Sequence, residues 1–419
     1  MIVRERLDNG LCLLTESMAD VRSVAFGIWL IRGSRHESAA QSGIAHFVEH
    51  MLFKGTSTRS AQDIAQEIDS IGGQLDAFTA KDCASYYVRV LDEHLPRAFD
   101  VLSDLLLRPV FDSDEIVREK KVVLEEIKMV EDTPDDFVHE LFTQRFWSGH
   151  PLGRPILGVP ETVSSLDHDA LCNYFGRVYT ADNLVVTAAG NVDHSAIRDL
   201  VASAFGDVPA SGETVSLSAP VGVPGLQLRE KSLEQCHLCL GVSGYPQDHD
   251  DRYACYLMNI VLGGSMSSRL FQNIREKRGL AYSVSSGLTA YQDGGALTVY
   301  AGCDADAVSE VVDLVVSELQ SLRDKPIHPE ELRRSQDHLK GNLVLSLESS
   351  SSRMSQMARH EIQFSRQVTL EDTLRAVEAV TLDDIHRVAR NLFRPGALAA
   401  TVLGPVGRLR LSGEQLGVI

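Results

Sequence analysis

Continuous apolar runs occupy comparable places in the two halves of the chain, at residues 23–30 and 237–242. Each run has the length and the apolar composition of one β-strand. A second pair of runs, 183–192 and 397–406, follows near the end of each half. The apolar pattern therefore predicts one strand near the start and another near the end of each half.

Between these strands, apolar residues return every three or four positions, which is the period of an amphipathic helix. Corresponding helices are predicted in the two halves at 97–106 and 310–319, and at 166–175 and 382–391. Further helices are expected to begin at 112–115 and 328–331, where a capping residue precedes an acidic first turn. The same order of elements occurs twice, which indicates an internal duplication.

The middle of the chain is a segment rich in Ser, Gly and Pro, 209–226, which lacks a helical period and is the predicted linker. We therefore expect an N-terminal domain at 1–208 and a homologous C-terminal domain at 227–419. Two domains of about 200 residues suit a chain of this length, since single cores rarely grow so large. Strands and helices without strict βαβ alternation predict the α+β class, with a largely antiparallel sheet and packed helices in each domain.

The net charge of −18 disfavours nucleic acid and anionic membranes as partners. The charge fits a basic substrate, and it fits a role in solubility equally well. Residues 1–10 lack the apolar core of a secretory signal, and no apolar run approaches the roughly 18 residues of a transmembrane helix. Seven cysteines without disulfide-like spacing suit a reducing compartment, so a cytoplasmic location is expected.

Two of the cysteines, Cys236 and Cys239, are spaced like a metal-binding or redox pair. No second pair with this spacing occurs in the sequence, and the surrounding residues 235–242 are mostly apolar. We interpret the segment as a strand of the core rather than as a ligand site.

The chemistry is concentrated in one short helical segment, 43–53. His46 and His50 are one turn apart and project from the same face, with Glu49 beside them. Two imidazoles at this spacing can hold zinc, and a catalytic zinc needs three protein ligands and an open position for water. Glu49 is then the candidate general base. Two ordinary helical histidines near a carboxylate are the structural alternative.

A third ligand is expected on a separate element, since one helical turn supplies only two. Segment 116–127 predicts a helix on which Glu119 and Glu126 share a stripe with apolar residues, whereas Glu125 points elsewhere. Carboxylates on an apolar face are costly unless they are paired or bound to metal. Glu126 is therefore the predicted ligand, and Glu119 a group behind the site that orients a ligand or receives a proton. A solvated helix face, the alternative, fits Glu125 better.

With these residues identified, the sequence resembles the pitrilysin-type zinc metallopeptidases, or inverzincins, whose motif is His-x-x-Glu-His. Within that family it is most similar to the mitochondrial and bacterial processing-peptidase group, and the resemblance covers essentially the whole chain. In the family a distant glutamate completes the zinc site, and its place is taken here by Glu126, 76 positions after His50. An auxiliary glutamate seven positions earlier corresponds to Glu119.

A second family signature lies in the other half, where a glycine-rich segment at 263–271 precedes Arg275 and Tyr282. The resemblance implies that this pair reaches across an interdomain cavity to the substrate backbone and the developing oxyanion. It also implies that peptides add as an extra strand to an edge strand containing Ala77 and Phe78. Without the resemblance, Arg275 would be interpreted as a surface charge and the edge strand as a plain β-ribbon.

Together these features predict a zinc-dependent endopeptidase that cleaves peptides or unfolded segments, basic presequence-like ones among them, inside the cavity between the two domains. Family precedent for chains of this length implies a dimer, and both signatures in one chain favour a homodimer. The alternative is a non-catalytic scaffold or partner subunit that retains the motif by descent. Residues 252–259 stand where the zinc helix would repeat and lack the motif, so one metal site per chain is expected.

Overall fold

The computed structural model describes residues 2–210, 217–409 and 411–417, and the chain folds into two compact units. Unit 1 comprises Met1–Lys128, Arg154–Leu217 and Leu345–Gln367, and unit 2 comprises Met129–Gly153, Ser218–Val344 and Val368–Ile419. The domain boundaries expected from the sequence, 1–208 and 227–419, stay a prediction. Residues 211–216 of the predicted linker 209–226 lie outside the described residues.

The strands of the described chain are numbered in chain order. They are β1 Ile2–Arg6, β2 Cys12–Ser17, β3 Ser23–Leu30, β4 Gln74–Thr79, β5 Ala84–Leu91, β6 Leu184–Gly190, β7 Gly225–Glu230, β8 Cys236–Gly244, β9 Ala281–Ala290, β10 Gly295–Cys303 and β11 Ala399–Gly404. The predicted strands correspond to β3, β6, β8 and β11. Cys236 and Cys239 are both buried in β8, which confirms their interpretation as residues of a core strand.

The helices are α1 Ile44–Leu52, α2 Ala61–Ser70, α3 Leu95–Leu107, α4 Ser113–Glu131, α5 Pro134–Phe146, α6 Pro160–Ser165, α7 His168–Val178, α8 His194–Phe205, α9 Arg252–Leu262, α10 Val308–Asp324, α11 Pro329–Ser346, α12 Ser350–Phe364, α13 Leu370–Glu378, α14 Leu382–Leu392 and α15 Gly413–Gly417. The helical periods predicted α3, α7, α10 and α14, and the capping signals predicted the starts of α4 and α11. None of the described helices combines the length and apolar character needed to cross a membrane.

Unit 1 is built on a sheet of six strands within its described residues, in the order β1-β2-β6-β3-β5-β4. Neighbouring strands are antiparallel except β2 and β6, which are parallel. One face of the sheet forms a continuous hydrophobic core with α1, α3 and α8, through residues such as Phe47, Val101 and Ile197. Strand β4 ends the sheet and lies beside α1.

Unit 2 contains a sheet in the order β7-β11-β8-β10-β9, in which β7 and β11 form the parallel pair. This order repeats β2-β6-β3-β5-β4 of unit 1 strand for strand. The prediction of an α+β fold with two similar units, each with a largely antiparallel sheet, is therefore confirmed.

The opposite face of each sheet is covered by a helix from the other half of the sequence. In unit 1, α12 packs Met354 and Met357 against Trp29 and its neighbours on β2, β3 and β6. In unit 2, α5 packs Phe142 against Cys239 and its neighbours on β8 and β11. Both faces of the central strands are thus buried, which explains why their sequences are continuously apolar.

The turn that follows α1 is held by a buried carboxylate, Asp104 of α3. Its Oδ2 accepts hydrogen bonds from Thr56 Oγ1 at 2.5 Å and Thr58 Oγ1 at 2.7 Å, and lies 3.0 Å from Nη1 of Arg59. Burial alone would raise the pKa of Asp104, but these hydrogen bonds outweigh it and hold the pKa below its ordinary value. The carboxylate therefore ties the segment after α1 to the core of unit 1.

Replacement of Asp104 by Ala should lower the free energy of unfolding by about 3 kcal/mol. The reason is that Thr56, Thr58 and Arg59 lose the buried carboxylate that they share. Urea denaturation measures this change. The control is Asp100→Ala, because Asp100 also pairs with Arg59 but has a side chain that is 59% exposed; its expected cost is below about 1 kcal/mol. Equal costs would show that burial of Asp104 adds nothing.

The same variant has a defined pH dependence. Since the folded-state pKa of Asp104 lies below the ordinary value of 3.8, its stabilising contribution is present above that value. The contribution is lost as the pH falls through the lowered pKa, so the stability difference between wild type and Asp104→Ala should shrink in acid.

Candidate metal centre

Helix α1 presents its polar residues on one face and buries the rest. Ile44, Phe47, Val48, Met51 and Leu52 are essentially inaccessible to solvent, and they anchor the helix in the core of unit 1. His46, Glu49 and His50, spaced three and four residues apart, occupy the remaining face, as the helical period predicted. Burial of the apolar residues therefore fixes which way the two imidazoles point.

Helix α4 brings a carboxylate to these imidazoles. Oε2 of Glu126 lies 3.6 Å from Nε2 of His50 and 3.9 Å from Nε2 of His46. Within the described residues these three side chains form the one group whose ligand atoms all lie within 4.8 Å of one another in a way that suits a metal ion. Glu125, by contrast, is 71% exposed and pairs with Lys128. The structure thus brings the three predicted ligands together and leaves Glu125 in solvent.

Glu119 lies behind this group and contacts His50. Nδ1 of His50 donates a hydrogen bond to Oε1 of Glu119 at 2.8 Å, in the tautomer that leaves Nε2 free to bind a cation. Nζ of Lys54, from the turn after α1, lies 2.5 Å from the other carboxylate oxygen. The Glu119 side chain is only 4% exposed, so these two partners compensate for its burial. The predicted orienting role is consistent with this geometry.

His46 is the more deeply buried of the two imidazoles. Burial and the neighbouring His50 lower the pKa of His46 to about 3, so its ring is neutral near pH 7 and has a lone pair for a metal. Its Nδ1 is buried and has no hydrogen-bond partner among the described residues. The two rings lie 4.4 Å apart between centroids.

The geometry fits zinc. Two neutral imidazoles and a carboxylate are a common set of ligands for a catalytic zinc ion, and ligands about 2.1 Å from a tetrahedral ion lie about 3.4 Å from one another. The carboxylate–imidazole distances of 3.6 and 3.9 Å are close to this value. Only small side-chain shifts would allow His46, His50 and Glu126 to bind one ion, with the fourth position left for water.

Glu49 is held beside the ligands by a residue that was not predicted from the sequence. Thr79, at the end of β4, donates a hydrogen bond from its hydroxyl to Oε2 of Glu49. Burial raises the pKa of Glu49 above its ordinary value, against this hydrogen bond and the proximity of His50. A raised pKa brings a carboxylate closer to the range in which a general base works best.

The N-terminus of α1 is capped from a distance. The cap residue is Gly43, whose φ of 96° lies in the left-handed region and which has no side chain to offer. Glu37 takes this place, since its carboxylate accepts from the N–H groups of Gly43 at 2.9 Å and Ala45 at 2.8 Å. Burial raises the pKa of Glu37, whereas these two backbone donors and the nearby Arg154 act in the opposite direction and favour the carboxylate.

The predicted edge strand is β4, which ends the sheet of unit 1. The N–H of Ala77 is donated to the side chain of Asp76 at 2.8 Å, so it points away from β5 and toward the free edge. Phe78 is 40% exposed, and its ring packs edge-on against Trp29 at 5.6 Å. A groove of about 750 Å³ runs along the first part of the strand, between α2 and residues 73–76. Ala77 and Phe78 themselves do not line it.

Arg275 and Tyr282 lie in unit 2, where the structure brings them together. The guanidinium carbon of Arg275 is 5.0 Å from the centroid of the Tyr282 ring and 4.8 Å from that of Phe271, which are cation–π distances. Tyr282 is 79% exposed. The Arg275 side chain is 37% exposed, so both side chains are accessible, and their proposed contact with substrate stays a prediction.

Sequence reasoning missed three residues that shape the site: Glu37, Lys54 and Thr79. No sequence pattern marked them. Glu37 and Lys54 lie in loops, and Thr79 lies at the end of a strand and contacts a residue distant in sequence. One clue was available for Glu37. A helix that begins at a glycine has no local capping side chain, so a group from elsewhere must satisfy its first N–H groups.

Family models match most of the chain. Residues 12–159 match the model described as insulinase, peptidase family M16, and residues 165–339 match the model described as the peptidase M16 inactive domain. The second name agrees with the sequence of α9, which carries no His, Asp or Glu where α1 carries the motif.

Similar proteins span nearly the full chain. The chain is 44% identical over 409 residues to an uncharacterized zinc protease of Bacillus subtilis, YmxG, covering 98% of this chain and 100% of that protein. It is 41% identical over 418 residues to an uncharacterized zinc protease of Mycobacterium tuberculosis, covering 99% and 95%.

Solved structures show the same fold at low sequence identity. A structure described as a peptidase M16 inactive domain, from Pseudomonas fluorescens, has a TM-score of 0.90 at 21% identity and covers 96% of this chain and 98% of its own. A protease from Helicobacter pylori has a TM-score of 0.88 at 22% identity, with 96% and 99% covered. The likeness to the processing-peptidase group stays a prediction. The matching family models and the identity to these relatives show that the chain belongs to peptidase family M16.

Proposed function

We propose that this chain is a zinc-dependent endopeptidase that cleaves peptides or unfolded segments. The observation that carries the proposal is the convergence of His46, His50 and Glu126 on one point, with the carboxylate of Glu49 beside them. A bound zinc ion would polarise the scissile carbonyl and lower the pKa of an attacking water. The names of the relatives as zinc proteases support the same assignment.

The residues around the ligands supply the proton chemistry. Glu49 takes the proton of the attacking water as its oxygen bonds to the carbonyl carbon, and returns it to the amide nitrogen as the C–N bond breaks. Thr79 holds one oxygen of this carboxylate, which limits the orientations it can take. Glu119 keeps the imidazole of His50 in the tautomer and orientation that a metal ligand needs.

Substrate contacts are proposed at two further places. The free edge of β4 at Ala77 and Phe78 is proposed to accept the backbone of an extended peptide, since the N–H of Ala77 points away from β5. Arg275 and Tyr282 are proposed to contact the substrate backbone and to stabilise the negative charge that develops on its carbonyl oxygen. We also propose that the chain works as a homodimer, which sedimentation equilibrium would test.

Metal binding and peptidase activity should separate in two variants. His50→Ala should reduce zinc from roughly one ion per chain to almost none, and with it peptide cleavage, because one of three ligands is lost. Glu49→Gln should keep its zinc but lower kcat by about 10²–10⁴-fold, because the base is lost. Elemental analysis and a peptide cleavage assay measure the two effects.

The control for these variants is His168→Ala, because the His168 side chain is 48% exposed on α7 and contacts Asp169 rather than the ligands. It should retain both zinc and activity. A wild-type protein without stoichiometric zinc, or cleavage that survives His50→Ala, would refute the proposal and favour a non-catalytic partner subunit. Matched Arg-rich and Glu-rich peptides in the same assay test the proposed preference for basic substrates, which should weaken at high salt.

Glu119→Gln should weaken zinc affinity by about 10–100-fold while the fold is kept, since the amide supports His50 less well than a carboxylate does. Competition with a zinc chelator measures the affinity. Glu125→Gln on the same helix is the matched control, because the Glu125 side chain is 71% exposed and does not contact the ligands. Equal affinities for the two variants would contradict the role of Glu119.

Arg275→Ala and Tyr282→Phe should each lower kcat/KM by about 10²-fold or more without changing zinc content, as expected for donors to a developing oxyanion. Steady-state kinetics and elemental analysis provide the two readouts. Arg278→Ala, a nearby arginine 42% exposed, should be close to wild type. Wild-type kinetics in both substituted proteins would refute the role of the pair.

A further inference from the structure

We propose that Glu37 is a positioning residue of the metal centre, whose carboxylate fixes the N-terminus of α1 relative to the turn that ends β4. The inference rests on the proposed zinc function and concerns the residue that sets the geometry of that site. Glu37 touches neither substrate nor ligand atoms, so its effect is transmitted through α1.

The first link is the cap itself. The two carboxylate oxygens bind different N–H groups, Oε2 that of Gly43 and Oε1 that of Ala45. A carboxylate held at two points fixes both the axial position and the rotation of the first helical turn. Ala45 is followed directly by His46, and Glu49 lies one turn later. Rotation of this turn would therefore move a ligand and the proposed base together.

The second link joins Glu37 to the end of β4. Residues 33–37 lie against the turn between β4 and β5, where Ser34 donates its N–H to the carbonyl of Ala80 and Arg35 donates to that of Lys81, both at 3.0 Å. The approach is so close that a Cβ on Gly33 would lie 2.3 Å from the Ala80 oxygen. This segment therefore cannot shift relative to the turn.

Charged groups hold the same segment from two more sides. The buried guanidinium of Arg35 binds Asp82 of the turn at 2.9 Å. Arg154 donates to the backbone carbonyl of Glu37 at 2.7 Å, and its own carbonyl accepts a hydrogen bond from Lys81 of the turn. Arg154 and Lys81 both favour the ionised form of the Glu37 carboxyl. The cap is thus held between the turn and α1.

These contacts close a ring. The turn at residues 80–82 follows Thr79, Thr79 binds Glu49, and Glu49 lies on the helix that Glu37 caps. The end of β4 is thus joined to α1 twice, through Thr79 and through Glu37. These two connections fix the distance from the edge strand to the proposed base. Sites that act on a substrate require such placement within about 0.5 Å.

The test compares Glu37→Gln with wild type by two metal measurements and one kinetic one. The amide can accept at one position only, so we expect zinc affinity about 10-fold weaker by chelator competition. The visible absorption spectrum of the cobalt(II)-substituted protein should also change, since the ligands move. In kinetics, kcat should fall by about 10-fold or more while KM changes little, because the edge strand itself is untouched.

A matched control separates positioning from general stability. Asp193 caps α8 in the same unit and accepts the N–H of Ala196 at 3.0 Å, and this helix carries no metal ligand. Asp193→Ala, which removes this cap, should lower thermal stability without changing zinc affinity, the cobalt spectrum or kcat. If Glu37→Gln behaves in the same way, with the metal readouts unchanged, the positioning role is overturned.

Two further outcomes are decisive. If Glu37→Gln does not fold, Glu37→Asp takes its place: its side chain is one methylene shorter, and zinc affinity equal to wild type would overturn the proposal. If the wild type binds zinc but cleaves no peptide, the proposed function fails, while the chelator and cobalt comparisons still decide the role of Glu37.

Discussion

The hydrogen bond between His50 and Glu119 joins two helices through residues 69 positions apart, and the site depends on it. A carboxylate with 4% exposure is tolerated there only because His50 and Lys54 both reach it. Once Glu119 is fixed, Glu126 follows two helical turns later on α4, at the height of both imidazoles. A displacement of α4 along its axis by one turn would leave Glu119 unpaired and would also move Glu126 away from the imidazoles. Burial of Glu119 and the geometry of the metal site therefore favour the same position of α4.

Much of this site follows from helical period. Spacings of three and four residues place His46, Glu49 and His50 on one face of a helix. The same helical period puts Glu126, but not Glu125, on the apolar face of α4. The fold class followed similarly, because apolar runs and amphipathic helices recur in the same order in both halves. Unit 2 repeats the strand order with a helix α9 that has no His, Asp or Glu. The architecture therefore depends on apolar burial and not on metal ligands.

Other features could not be obtained from local pattern. Glu37 lies six residues before the cap residue Gly43, in a loop without periodicity, and Thr79 contacts Glu49 from the end of a strand. The packing of α12 on one sheet and of α5 on the other could not be predicted from the sequence either. A continuous apolar strand shows that both of its faces are buried, but it does not say which helix supplies the second face.

That exchange of helices has a consequence for synthesis of the protein. Trp29 and its neighbours on β2, β3 and β6 bury one face against Met354 and Met357, which leave the ribosome more than 300 residues after Trp29. Unit 1 cannot complete its core during translation of the first half, because a segment of the second half is missing. Until α12 arrives, a strip of apolar sheet stays open to chaperones or to aggregation. Each unit therefore needs segments from both halves of the sequence, and either half made alone would leave one face of its sheet uncovered.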